Sequence, residues 1–184
     1  GSENTAVGYQ ALLTATTAAN NTAVGMNSLA LNTTGHSNTA VGKSALVANT
    51  TAANNTAVGL EALLRNTTGS DNSSLGVNSM TDNTTGTNNV AIGKRALKSN
   101  TTASNNTAVG YHALEENTTG ANNTAVGQVA LTANTTGASN VAVGALVLDA
   151  NITGASNVGV GVNALSNDTK GNKSIAIGDN ALSS

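Results

Sequence analysis

Glycine recurs at every seventeenth position of this 184-residue chain, from Gly8, Gly25 and Gly42 through Gly161 and Gly178, with no insertion or deletion between occurrences. So strict a spacing predicts a chain that coils, each unit resting on the one before so that equivalent side chains stack in ladders. Function is then expected on the outside of a rod, not in a central cavity.

The interior of such a rod has to be thin. Apolar residues make up 39% of the chain, largely as alanine, with two Tyr and no Phe, Trp, Cys or Pro, so a thick core of rings and branched aliphatics is excluded. Charged residues are 9% of the chain and the formal net charge is −2. Such a composition also fits a disordered linker, but a linker has no use for a fixed period with Val and Leu at set places. The missing cysteines exclude a disulfide framework and any thiolate metal site. No apolar run is long enough to span a bilayer, and no charged segment leading into an apolar one opens the chain. Residues 1–3 read as a lead-in, Gly1 and Ser2 as a cloning remnant, and 4–184 as one repeat domain of about eleven coils taken from a longer fibrous protein.

Between glycines the unit reads two variable residues, Ala or Ser, Leu, two variable residues, N-T-T-G/A, two variable residues and N-T-A-V. One apolar column runs from Leu12 to Leu182 with only Met80 departing, and another runs from Val7 to Ile177 immediately before the glycines. Both are expected to form interior seams. N-T-A-V alternates with period two and carries residues suited to a pleated surface, which favours a strand over a helix. The residue two before the glycine is apolar at Val90, Val141, Val158 and Ile175, so this face is expected inward. The intervening alanines, with Ser74 and Gly159 as variants, are then expected on a second face that something else covers.

A second short strand is expected around Ala-Leu. The N-T-T-G/A segment supplies a corner in which Asn tolerates unusual backbone angles and Gly35, Gly69 or Gly120 can take positive φ. Two asparagine columns, Asn4 to Asn157 and Asn32 to Asn151, are read as structural, their amides bonding from rung to rung. Most charged residues, among them Lys43, Arg65, Lys94, Glu115 and Asp179, fall at variable positions expected to face water. Asp168, Lys170 and Lys173 break regular columns within one unit and mark an altered corner.

One Leu, one Val and some Ala and Thr per rung bury little area against the entropy of ordering the chain. A lone coil therefore reads as under-stabilised, and another copy is expected to complete it, trimerisation burying the second face and covering sheet edges.

Asn89-Val90-Ala91-Ile92-Gly93 and Ser174-Ile175-Ala176-Ile177-Gly178 resemble the N/S-V-A-I-G motif in head domains of trimeric autotransporter adhesins, the YadA-like family, with N-T-A-V-G as a milder version in other units. The resemblance covers essentially the whole chain. It implies an all-β, left-handed parallel β-roll or β-solenoid, assembled as a homotrimer, extracellular at a bacterial cell surface through an outer-membrane-anchored parent, and attaching to host matrix protein, surface glycans or other cells. The seventeen-residue unit is longer than that family's usual repeat, and Thr replaces the first apolar residue in most units. Similar N-T-A-V-G-x-x-A-L arrays occur in phage tail fibres, which leaves a purely structural shaft of a virion or surface fibre as the alternative.

Enzymatic chemistry finds no foothold in the pattern. His36 and His112 occupy different unit positions more than four turns apart, no serine has a His and acid partner, and the acidic residues do not stack into a calcium-binding ladder. No phosphate loop, zinc spacing or nucleotide fingerprint occurs, so no cofactor and no metal are expected. Nucleic acid is disfavoured because Lys94, Arg95 and Lys98 form the only basic patch and stacking aromatics are scarce. No membrane contact is expected of the segment. Tyr9, Lys94, Arg95, Lys98 and Tyr111 are the candidate surface contacts, weak singly and multiplied in a trimer. A second alternative is an ice-binding solenoid. The adjacent Thr columns, Thr16 to Thr169 and Thr17 to Thr153, would point in opposite directions in an extended strand, so no flat Thr array is evident there.

Overall fold

The computed structural model describes residues 1–183. Eleven three-residue strands, from Thr5–Val7 (β1) to Ile175–Ile177 (β11), form one parallel sheet in chain order. The chain is thus a β-solenoid with a seventeen-residue period, and among the described residues it contains no helix. Register is exact from end to end: Thr5, Ala6 and Val7 face Thr22, Ala23 and Val24, and Val158, Gly159 and Val160 face Ile175, Ala176 and Ile177.

The glycine after each strand makes the first bend. Its φ is between 122° and 142° throughout, a region that side chains rarely enter, and the next coil leaves no room for one. A Cβ on Gly25 would lie 2.6 Å from the Gly42 carbonyl oxygen. Three further positions per coil carry ordinary residues at positive φ: the columns of Gln10, Leu12 and Asn20, each with φ near 50–60°. The leucine column is the unexpected one. Leu29, Leu46, Leu63 and their equivalents through Leu148 are fully buried in left-handed geometry, which costs about 1–2 kcal/mol per residue and persists because the turn aims the side chain into the core.

This turn occupies the place where a second strand was expected around Ala-Leu; the segment there is hydrogen-bonded turn, not strand. The corner glycines differ from expectation too. Gly35, Gly69 and Gly120 lie outside the positive-φ region and are buried against the next coil, so their smallness serves close stacking.

The strands also face the other way from the sequence reading. The middle residue points inward: Ala23, Ala40, Ala57, Ala91 and Ala108 are 0% exposed and cluster with the Leu column. The flanking Thr and Val columns face outward, so the Val column is not an interior seam. The physical reason is width. The sheet's inner face meets a second small-residue column, Ala45, Ala62 and Ala96, and the space between holds methyl groups, not isopropyl groups.

Two departures from alanine are matched by a second change, while Ser28 stands alone and donates to the Gly25 carbonyl at 3.1 Å. In one coil Ser74 and Ser79 replace the two facing alanines and their hydroxyl oxygens lie 2.5 Å apart. In another, Val147 replaces alanine and fills the room left at Gly159, where an added Cβ would stand 2.5 Å from Val147 Cγ1.

Polar ladders complete the interior. In one, Asn55 donates its backbone N–H to Asn38 Oδ1 at 3.0 Å and its Nδ2 to Gly69 O at 2.9 Å. In the other, Asn100 Nδ2 donates to Asn83 Oδ1 at 2.8 Å and to Ala103 O at 3.0 Å, while its own Oδ1 accepts from Asn117. Asn100 and Asn117 are 0% exposed. Burial is tolerated because the amide offers two donors and an acceptor that repeat at the strand spacing. The first Thr of each corner adds a third ladder, Thr67 Oγ1 donating to Thr84 O at 3.1 Å.

Candidate functional site

The feature that sets this molecule apart is the outward face of its sheet. Each strand contributes two outward residues, and all of them are Thr, Ser, Val, Leu or Ile, with no charge along the rod. Thr leads in six strands, and Val or Ile leads at Val90, Val141, Val158 and Ile175. Leu75, Ile92 and Val143 stand 38–48% exposed on this face. The column just past the glycine widens the stripe with exposed Tyr9, Met26, Leu60, Val77, Tyr111 and Val162. At about 4.8 Å per strand the face is about 50 Å long. An uncharged strand face of that length is unusual on a protein surface and is the candidate interaction surface, with Lys43, Lys94 and Asp179 interrupting only the widening column.

The sequence-derived contact residues are placed around this stripe but not all together. Tyr9, Lys94 and Tyr111 share the column after the glycine. Tyr9 lies six coils from Tyr111, about 29 Å along the axis, and its hydroxyl accepts a hydrogen bond from Gln10 at 3.2 Å. Lys94 Nζ sits 6.0 Å from the centre of the Tyr111 ring. Arg95 is occupied: it pairs with Glu115 at 2.6 Å across two coils. Lys98 is half-buried and lies in the column of Glu115, one coil before it. The three cations therefore do not act as one free basic patch.

Two partners in this cluster were missed by sequence reasoning. Glu115, expected in water, is buried, its side chain only 6% exposed, with His112 Nδ1 on its second oxygen. The His112 ring lies tilted against Tyr111, with centres 3.8 Å apart and planes at 43°, and its Nε2 is buried without a partner. Nothing in local sequence announces this, because Arg95 and Glu115 meet only once the coils are stacked. A single Arg with a buried Glu pins two rungs, and among the described residues no group of three metal-ligating side chains forms.

The rod's last coils end both asparagine ladders. Ser174 follows Asn157 in one, and Asp168 follows Asn151 in the other. The Asp168 side chain has no N–H to donate, and Asn151 Oδ1 is accordingly buried without a partner. The carboxylate instead accepts from the backbone N–H groups of Lys170 and Gly171, at 3.2 and 2.6 Å. A cavity of about 410 Å³ bordered by Leu165, Asp168, Ser174 and Leu182 marks the open end of the core. Elsewhere, burial pushes the Asp149 carboxyl above its ordinary value, opposed by backbone N–H groups at Asp149 and Ala150.

The chain matches no protein-family model, no curated protein and no solved structure.

Proposed function

We propose that the chain is a rigid rod module of an extracellular fibre, which associates with copies of itself through the outward strand face and carries attachment to a surface. The observation that supports this reading is the unbroken uncharged face of eleven strands. Strand faces alone, about 50 Å by about 10 Å, give on the order of 500 Å², short of the roughly 800 Å² per partner of a standard stable interface. A closed ring in which each copy meets two neighbours, widened by the exposed column from Tyr9 to Val162, makes up the difference. A homotrimer is the assembly proposed, in keeping with the adhesin-like N-V-A-I-G segment at Asn89–Gly93. Once this face is covered, the outer surface left to a host matrix protein or surface glycan includes the corner with its exposed second Thr column, Thr34 to Thr153. A fibre shaft on a virion uses the same assembly without the attachment step. The reading assigns the chain no catalysis and no cofactor.

Light scattering tests the assembly. The expected molar mass is three times 17.9 kDa, falling to one chain in a Val58→Lys, Val109→Lys variant whose circular dichroism is unchanged. A wild-type chain that stays single at tens of micromolar contradicts the proposal. Binding of the trimer to immobilised matrix proteins or glycans separates attachment module from shaft.

A second reading is favoured by one feature of the same face. In six strands the outward pair is Thr-x-Val, a regular hydroxyl and methyl array of the kind suited to ordered water. Ice binding and self-association compete for this surface, so thermal hysteresis in a single-chain preparation supports ice binding and its absence removes it.

A further inference from the structure

The corner motif has a chemical consequence independent of how the rods associate. Asn-Thr-Thr, and Asn-Ile-Thr at Asn151, is an acceptor sequence for N-linked glycan, and it recurs at all eight asparagines from Asn32 to Asn151. Asn72, in the other ladder, begins a ninth such sequence, Asn-Ser-Ser. All nine side chains are 0% exposed. Both amide hydrogens are used in the corner ladder: Asn49 Nδ2 donates to Asn32 Oδ1 at 2.9 Å and to Ala52 O at 3.1 Å, and Asn66 and Asn134 repeat the pattern.

Glycan transfer to such a nitrogen would join Nδ2 to the anomeric carbon of a sugar and break that carbon's bond to a lipid-linked diphosphate. The diphosphate departs with the displaced amide proton, leaving one N–H where the ladder needs two. The sugar also occupies the space where the next coil stacks. Timing favours modification before folding, because each corner amide finds its partner seventeen residues away and stays open until the neighbouring coil is made. Six further acceptor sequences, among them those at Asn20, Asn54, Asn105 and Asn122, begin at exposed asparagines and carry no such conflict.

We propose that the nine buried asparagines are glycan acceptors whose modification is incompatible with the coil, so that this rod forms only where nascent chains receive no N-linked oligosaccharide. The proposal confines folding to compartments without that transferase, and it stands whether the rod is an attachment module or a shaft.

The test directs the full chain through the secretory pathway of a eukaryotic cell line, with and without an inhibitor of oligosaccharide transfer, beside the same chain made in bacterial cytosol. Occupancy is read by peptide mass and folding by circular dichroism melting. The expected result is glycan on the corner asparagines and loss of the cooperative transition, with the transition restored by the inhibitor. A variant with Thr→Ala at the eight second-Thr positions from Thr34 to Thr153, together with Ser74→Ala, supplies the second arm. Those threonine hydroxyls are exposed and donate no hydrogen bond among the described residues, and alanine already occupies the Ser74 column elsewhere. The secreted variant is expected to carry glycan only at exposed sites such as Asn20 and Asn105 and to melt like its cytosolic counterpart. Corner-glycosylated chains with a native transition, secreted chains that fold with unmodified corners in the absence of inhibitor, or failure of both the inhibitor and the variant to restore folding would overturn the proposal.

Discussion

The N-T-T corner and the T-A-V strand lie seven residues apart in every coil, and they bury opposite kinds of side chain. At the corner the amides of Asn100 and Asn117 are wholly inside, while on the strand the aliphatic groups of Ile92, Val143 and Ile177 stand 38–72% exposed. The contrast teaches that burial in this rod follows fit to the coil's repeat more than side-chain polarity. An amide whose donors and acceptor recur at the strand spacing is satisfied by its own copies. A valine on the strand finds no partner in its own chain, and the small alanine takes the inner place.

The sharpest way to break the contrast is at the corner. Asn100→Ala leaves Asn83 Oδ1 and one Asn117 N–H unpaired in the interior, while Ala103 O keeps its bond from Asn89 Nδ2, at about 1–3 kcal/mol for each unpaired group. The expected loss is at least about 2 kcal/mol, a fall of roughly 4–8 °C in melting temperature. Val109→Thr on the outward face of the single chain is expected to change stability by less than about 0.5 kcal/mol. Equal effects from the two substitutions would remove the contrast.

The inner strand position comes next in size. Gly159→Ala alone drives a methyl into Val147 and is expected to cost about 1–3 kcal/mol. Adding Val147→Ala restores the two alanines that most other coils carry, so the double variant is expected to recover most of the loss, with a coupling above about 1 kcal/mol in a double-mutant cycle. Additive losses would show that the two side chains do not share one space.

Asp168→Asn sharpens the corner side of the comparison. It supplies the missing donor to Asn151 Oδ1 while keeping an oxygen for the Gly171 N–H, and a gain of about 1 kcal/mol in thermal unfolding is expected. The smallest effect belongs to Asp149. Its folded-state pKa lies above the unfolded value, so the fold binds the proton more tightly and stability from this group is lost as pH rises through the carboxylate range. Asp149→Asn is therefore expected to be the more stable form at neutral pH, with the difference shrinking as pH falls below about 4. A difference independent of pH would contradict the desolvation of this carboxyl.

The period, the inward Leu column, the bend glycines and both asparagine ladders were legible in the sequence because each repeats with few exceptions. The orientation of the strand was not. Period-two alternation fixes that Thr and Val share a face but not which face is inside, and the larger side chains were placed inward by the habit of globular cores. Two features carried the contrary signal. Six threonines in the supposed interior column would have needed partners for their hydroxyls, and Ser74 with Ser79 and Gly159 with Val147 vary as facing pairs. The left-handed turn at leucine had no signal at all, since leucine has no preference for that geometry. Of the candidate contacts, Lys94 and Tyr111 were found together, whereas Arg95 was lost to Glu115 because a bond between stacked coils joins residues twenty apart.

Side-chain amide exchange by NMR tests most directly the claim that polar ladders form the inside of this rod. The corner asparagines from Asn49 to Asn134 are expected to exchange their Nδ2 hydrogens orders of magnitude more slowly than exposed Asn20 and Asn105. Equal, fast exchange in the two groups would contradict it.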